Sequence, residues 1–174
     1  MVRYLLTIVL MLWVGSVRAS VPPLYQSIAY QWNIPPEVLY ALALGESQTR
    51  LKNGQVRPWP WTLNVKGTPY YYADKGAACQ ALTGFLRQTE IIDIGLTQHN
   101  WRWQKDHFDS PCSVFDPVVN LTHAARLLRE GNQQHGNWVK AAGYFHRPAG
   151  GQIARRYEIK FATHLKRLIR KENT

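Results

Sequence analysis

The sequence predicts a mainly α-helical domain of the α+β class, in which a helical bundle surrounds one buried helix and carries a small β-hairpin. Residues 38–47 are apolar on every side except for one acid, Glu46, which is typical of a central helix. Residues 58–72 are rich in aromatic and β-branched side chains with a glycine turn between them, which indicates a hairpin. Three longer segments repeat apolar residues every three or four positions, as amphipathic helices do: 74–87, 116–131 and 152–170.

The first elements are two helices. Residues 24–32 carry apolar side chains one turn apart, which predicts a short amphipathic helix. Asn33 is expected to cap the buried helix, with Pro35 and Pro36 in its first turn.

Turn and capping residues delimit the elements that follow. The hairpin is expected to pair 58–65 with 70–72. Asp74 is the expected cap of a helix through about Arg87, and residues 91–100 are expected to be short and irregular. Three helices complete the chain: one from Asp116 to about Gly131, one over 137–144 and a basic one over 152–170.

The N-terminus has the pattern of a secretory signal peptide. Arg3 precedes an apolar run over residues 4–13, and Val17 and Ala19 occupy the positions read by a signal peptidase. The run is short for a membrane span, although an uncleaved anchor is the alternative interpretation. Cleavage after Ala19 leaves a single domain, residues 20–174, in the periplasm or otherwise outside the cytoplasm.

Charge and cysteine content agree with export. The formal net charge is +10, and loss of Arg3 and Arg18 with the leader leaves +8. This favours an anionic cell wall or membrane surface; nucleic acid fits the charge but not the compartment. Cys79 and Cys112 form an isolated pair, most simply a disulfide in an oxidising compartment. The histidines lack paired zinc spacing, so neither a metal nor a cofactor is expected.

Glu46 is the first candidate for chemistry. A carboxyl group among apolar side chains loses hydration of its charged form, so it tends to hold a proton that it can donate to a leaving group. The simpler interpretation is that Glu46 is the polar end of a helix that stops at Gln48 and Thr49.

Four short motifs occur in order along the chain. The first is the helix that ends in Glu46-Ser47, and the second is Gly95-Leu96-Thr97-Gln98-His99-Asn100. The third is Asp116-Pro117-Val118-Val119-Asn120-Leu121, and the fourth is Ala141-Ala142-Gly143-Tyr144, followed later by Tyr157. Together they resemble the lysozyme-like lytic transglycosylases, the soluble type that shares the goose-type lysozyme core. The chain departs from that pattern at Thr97 in place of Met, at Phe145 and Arg147 in place of Asn and Gly, and in an insertion over 58–87.

The resemblance implies a lysozyme-like fold with a substrate cleft. Glu46 would be the sole acid/base: it would protonate the oxygen between N-acetylmuramic acid and N-acetylglucosamine, then accept the proton of the muramoyl 6-hydroxyl. The product would be a 1,6-anhydromuramoyl end. Tyr144 is the expected hydrogen-bond partner of Glu46, with a core aromatic as its alternative role. The residues expected to bind substrate or support Glu46 are Ser47, Thr89, Gln98, Asn100, Tyr144 and Tyr157.

Two further sets of residues are candidates for the cleft. Glu90 and Asp93 precede the Gly95 motif and are either cleft carboxylates or exposed loop acids. An obligatory second catalytic carboxylate is not expected, although paired carboxylates are the general rule for glycosidases. The aromatic candidates for sugar stacking, with core packing as the alternative role, are Trp59, Trp61 and Trp101.

The function expected from the sequence is cleavage of peptidoglycan glycan strands by a monomer, for local wall remodelling. The resemblance adds a conjugation, secretion or pilus apparatus as partner, and the basic last helix leaves peripheral membrane contact open. Three alternatives remain. One is a hydrolytic muramidase, and another is a catalytically inactive wall-binding module of an envelope-spanning machine. The third is a nucleic-acid-binding protein, whose affinity would fall steeply with salt and would not depend on Glu46.

Overall fold

The computed structural model describes residues 21–172, which form seven α-helices and six short strands. The helices are α1 (Pro23–Gln31), α2 (Pro36–Ser47), α3 (Lys75–Leu86), α4 (Trp101–Gln104), α5 (Pro117–His135), α6 (Trp138–His146) and α7 (Gly151–Glu172). The strands are β1 (Gln48–Arg50), β2 (Val56–Pro58), β3 (Thr62–Val65), β4 (Thr68–Tyr71), β5 (Ile92–Ile94) and β6 (His99–Asn100). The mainly α-helical α+β prediction is therefore confirmed, whereas the predicted signal peptide lies outside the described residues.

Helix α2 is the buried centre of the bundle, as its composition predicted. All residues from Val38 to Gly45 are buried, and α1, α5 and α7 pack around them. The predicted cap is wrong. Asn33 instead ends α1: it adopts a left-handed φ of 51°, and its N–H donates to Tyr30 O while the next N–H donates to Ala29 O. Helix α2 begins with Pro36, whose fixed φ suits a first turn.

Helix α5 runs one turn beyond the predicted end at Gly131. The residue that follows the helix, Gly136, adopts a left-handed φ of 65°, and its N–H donates to Asn132 O. Gly131 serves helix packing instead, because a Cβ there would lie 3.1 Å from Ala141 Cα of α6. The predicted cap of α3 is confirmed, because Asp74 accepts from Ala77 N. The predicted start of α5 at Asp116 is also confirmed, and the Asp116 side chain accepts from Val118 N and Val119 N.

The hairpin is confirmed but is part of a larger sheet. Strands β3 and β4 pair antiparallel, and β5 and β6 extend them to the order β4-β3-β5-β6. Pro58 lies outside this hairpin, in β2, where it pairs with Gln48 of β1. Residues 91–100 are not irregular, because Ile92 and Ile94 bury their side chains in β5 while Asp93 between them is only half-buried.

The sheet and α3 enclose a second, smaller core. Leu63, Leu82, Ile92 and Ile94 pack there with Phe115 of the 3₁₀ helix Pro111–Phe115. The predicted disulfide between Cys79 and Cys112 is confirmed and joins α3 to that 3₁₀ helix. The chain thus has a main helical bundle and a sheet-based lobe beside it. Within residues 21–172, no helix is both long and apolar enough to cross a membrane.

Candidate active site

A cleft of about 930 Å³ separates the sheet-based lobe from helices α6 and α7, and the end of α2 opens into it. One wall carries Asn64, Asp93, Gln98 and Asn100, and the other carries residues of α6, α7 and the loop between them. The lining residues that can ionise are Glu46, Asp93, His146, Arg156, Tyr157 and Lys160.

Glu46 is the acid at the floor of this cleft. Its side chain is only 11% exposed, and its Oε1 lies 3.6 Å from His146 Nδ1. That oxygen is buried and lacks a hydrogen-bond partner among the described residues. Because the rest of the helix from Val38 onward is buried, Glu46 is not a solvated helix end but a carboxyl group held against the cleft.

The tyrosine beside Glu46 is Tyr157 of α7. A Cβ added at Gly45 would lie 3.3 Å from Tyr157 Oη, so Gly45 allows the phenol to approach the end of α2. Burial raises the pKa of Tyr157 well above its usual value, and the neighbouring Glu46 carboxylate adds to this. The phenol therefore keeps its proton, and its Oη, like Glu46 Oε1, is buried without a hydrogen-bond partner among the described residues. His146 stacks on the Tyr157 ring, with centroids 4.2 Å apart.

Tyr144 does not have the expected position. Its ring packs against His135, with centroids 5.5 Å apart, and it is not among the described residues that line the cleft. Helix α6 continues past Tyr144 to His146, and this last turn brings Phe145 and His146 to the cleft instead. The tyrosine was correctly placed on α6, but helical rotation turns its ring away from Glu46.

Lys160 lines the cleft, although the sequence analysis did not predict it as a site residue. Its Nζ donates to the carbonyl oxygen of Gly45, in the last turn of α2. Carbonyls at a helix C-terminus lack intrahelical partners, and a cation there also complements the helix dipole. Lys160 lies three residues after Tyr157, on the same side of α7, and this spacing was the available signal.

The Gly95–Asn100 motif forms the wall of the cleft and is tied to α2 and α5. Ser47 Oγ donates to Leu96 O at 2.6 Å, which joins the end of α2 to the motif. Thr97, which replaces the Met of the resembled family, donates from its N–H and its hydroxyl to Asn120 Oδ1. Gly95 has φ of 79°, and a Cβ there would lie 2.6 Å from Asn120 Nδ2.

Gln98, Asn100 and Asp93 present polar groups to the cleft. Gln98 Nε2 donates to Gly95 O at 2.9 Å, and Asn100 Nδ2 donates to Asp93 Oδ1 at 2.8 Å. Burial raises the pKa of Asp93; the hydrogen bond from Asn100 opposes the shift, and the charge of Glu46 adds to it. Asp93 is thus a second cleft carboxylate, whereas Glu90 is exposed and pairs with Lys105 at 2.8 Å.

The aromatic and loop candidates lie elsewhere. Trp61 and Trp101 are half-buried against the smaller core, and Trp59 lines a separate pocket. Thr89 accepts a hydrogen bond from Ile91 N and stabilises a turn outside the described cleft lining. The tryptophan that does line the cleft is Trp103, which is 76% exposed.

Two buried histidines support the cleft wall from behind. His99 Nε2 lies 2.9 Å from Asn120 O, and the ring centroids of His99 and His123 are 4.7 Å apart. Burial lowers the pKa of His99 to about 4. Burial, followed by the charge of His99, lowers the pKa of His123 to about 3. Both rings are therefore neutral at physiological pH.

These two histidines should make the fold sensitive to acid. Unfolded histidine takes up a proton near pH 6.5, but the folded state excludes it until about pH 4 at His99. The free energy of unfolding should therefore be highest above about pH 6.5, where the unfolded chain also leaves these histidines neutral. It should fall as the pH drops, by roughly 2 kcal/mol between pH 7.5 and pH 5 for His99 alone. Asp93, with its raised pKa, opposes part of this loss.

Urea unfolding at pH 7.5, 6 and 5 measures this effect. His99→Gln should reduce the pH dependence without removing it, because the buried His123 remains, whereas His135→Gln, at an exposed position in the last turn of α5, should follow the parent protein. Equal stability of the parent protein at pH 7.5 and pH 5 would contradict the prediction.

Comparison with protein-family models, curated proteins and solved structures found no match to this chain. Architecture alone does not determine function, so the chemistry of the cleft is the basis on which a function can be assigned.

Proposed function

We propose that this protein is an exported, lysozyme-like lytic transglycosylase that cleaves the β-1,4 bond between N-acetylmuramic acid and N-acetylglucosamine. The observation that carries the proposal is the placement of Glu46. It is a nearly buried carboxyl group at the end of a central apolar helix, it opens into a cleft of about 930 Å³ with polar side chains on one wall, and it lies beside a protonated phenol.

In the proposed reaction, Glu46 donates its proton to the glycosidic oxygen as the bond breaks. The muramoyl 6-hydroxyl of the same sugar then attacks the anomeric carbon, and Glu46 takes the proton of that hydroxyl. No water is consumed and no cofactor is required. Tyr157 orients the Glu46 carboxyl, while Gln98 and Asn100 offer hydrogen bonds to the sugar hydroxyl and acetamido groups.

A hydrolytic muramidase is the second candidate, and Asp93 is the observation that favours it. Glycosidases that use water employ two carboxylates, one of which activates the water or acts as nucleophile. Asp93 lies in the same cleft as Glu46 and interacts with it electrostatically. However, Asp93 Oδ1 is engaged by Asn100, so part of this carboxylate already has a structural role.

Digestion of purified sacculi, followed by mass analysis of the released muropeptides, distinguishes the two reactions. We expect 1,6-anhydromuramoyl products from the parent protein. Asp93→Asn should still release anhydro products, because the transglycosylase reaction needs no base for water. Reducing ends from the parent protein, lost in Asp93→Asn, would instead establish the muramidase.

The biological setting follows by analogy rather than from the site. A small exported enzyme of this kind would open the wall locally, for a conjugation, secretion or pilus apparatus. Its basic charge would keep it at the anionic wall or membrane surface.

A further inference from the structure

A second pocket lies outside the cleft, between the segment 49–52 that follows α2 and the insertion over 58–87. Its volume is about 230 Å³, and its walls are Arg50, Lys52, Trp59, Tyr71 and Tyr72 together with Thr49 and Leu51. The pocket combines aromatic rings with two cations, and it shares no lining residue with the cleft. This volume is below the roughly 300–1,000 Å³ of typical small-molecule sites, so it suits one unit of a longer polymer.

The pocket is ordered and open. Trp59 Nε1 donates to Tyr72 O at 2.8 Å, which fixes the orientation of the indole ring. Tyr71 lies on strand β4, and its side chain is 55% exposed rather than packed in the sheet-based lobe. Among the described side chains, neither Arg50 nor Lys52 is in an ion pair, although Arg50 donates to Gly54 O. Two cations are therefore available beside an aromatic surface.

The pocket is also close to Glu46. Strand β1 follows α2 directly, so Arg50 is four residues after Glu46 and at most about 14 Å away along the chain. Directly after the facing strand β2, Trp59 N donates to Ser47 O, which places Trp59 opposite the residue next to Glu46. The pocket therefore begins within one short strand of Glu46.

We infer that this pocket, which we call the aromatic–cationic pocket, binds an acid-bearing saccharide unit of the glycan strand cleaved at Glu46. The inference rests on the proposed function for the identity of the strand. The aromatic rings contact the apolar face of a sugar ring, and Arg50 and Lys52 pair with a carboxylate on the lactyl group or stem peptide. The pocket holds a part of the strand away from the bond that breaks and thus favours acid-bearing over neutral glycans.

The test measures binding in the full-length mature chain carrying Glu46→Gln, so that the strand is not consumed. Co-sedimentation is measured with sacculi and with chitin, a neutral β-1,4-linked polymer. Tyr71→Ala should weaken binding to both by roughly fivefold, the effect of one aromatic contact. Arg50→Ser with Lys52→Ser should weaken binding to sacculi by about three- to tenfold and leave chitin binding unchanged.

Two control variants match these changes elsewhere on the surface. Tyr30→Ala removes an exposed tyrosine of α1, and Arg155→Ser with Lys166→Ser removes two cations from the outer face of α7. Both should bind sacculi like the Glu46→Gln parent. Equal weakening of sacculus binding by the α7 pair would show that only net charge matters and would overturn the inference. Unchanged binding of the pocket variants would overturn it as well. The proposed function is tested separately: if Glu46→Gln itself releases muropeptides from sacculi, the role proposed for Glu46 is wrong, whatever the binding results are.

Discussion

Glu46→Gln should abolish the release of muropeptides from sacculi while leaving the protein folded. The amide has nearly the shape of the carboxyl group, but it cannot give a proton to the glycosidic oxygen or take one from the muramoyl hydroxyl. General acid–base catalysis contributes about 10²–10⁴-fold to rate, and here one residue supplies both transfers, so a loss near the upper end is expected. Initial rates of product release, measured by mass analysis, give the ratio.

The same helix offers a matched control. Glu37, in the first turn of α2, is one full helix length from the cleft, so Glu37→Gln makes the same chemical change without touching the site. It should keep the parent rate. Circular dichroism and thermal unfolding should show both variants folded, because Glu46 Oε1 has no hydrogen-bond partner among the described residues to lose. Comparable rates for Glu46→Gln and the parent would remove Glu46 from the proposed chemistry.

The sequence predicted the helices well because their signals are local. Apolar periodicity located α1, α3, α5, α6 and α7, and a run without any polar face located α2. Helix ends were less predictable, because Asn33 and Gly131 each suit two roles. An asparagine can begin one helix or end another, and a glycine can end a helix or allow close packing. Which role applies depends on neighbours that are distant in sequence.

The same limit applies to the site. Glu46 was identified because it is the only acid in an apolar helix, which can be read from the sequence. The choice between Tyr144 and Tyr157 depends on how α6 and α7 rotate as they pack, and only Tyr157 faces the end of α2. Lys160 was missed for a related reason. Its partner, the Gly45 carbonyl, is 115 residues away in sequence, and on a strongly basic helix the three-residue spacing from Tyr157 is only a weak signal.

Replacement of Asn120 should cause the largest loss of stability. Its buried amide accepts from Thr97 N and Thr97 Oγ1 and donates to the carbonyls of Ile94 and Val114. Leucine has a similar volume but leaves these backbone groups buried without partners, at about 1–3 kcal/mol for each. We expect Asn120→Leu to lower the free energy of unfolding by roughly 3–5 kcal/mol, a large part of the 5–15 kcal/mol of a typical domain. Urea unfolding measures this directly.

This prediction also connects stability to the cleft. Asn120 holds Gly95 and Thr97 in place, and the next residue, Gln98, adopts a left-handed φ of 49° on the cleft wall. Asn120→Leu should therefore lower activity even at temperatures where the variant remains folded, because the polar groups of the wall lose their fixed positions. Gln133→Leu, at an exposed position of the same helix, should change stability by less than about 0.5 kcal/mol and leave activity intact. A free energy of unfolding for Asn120→Leu within about 1 kcal/mol of the parent value would contradict this, because a single unsatisfied buried group already costs that much. The amide would then not be the group that joins α5 to the motif.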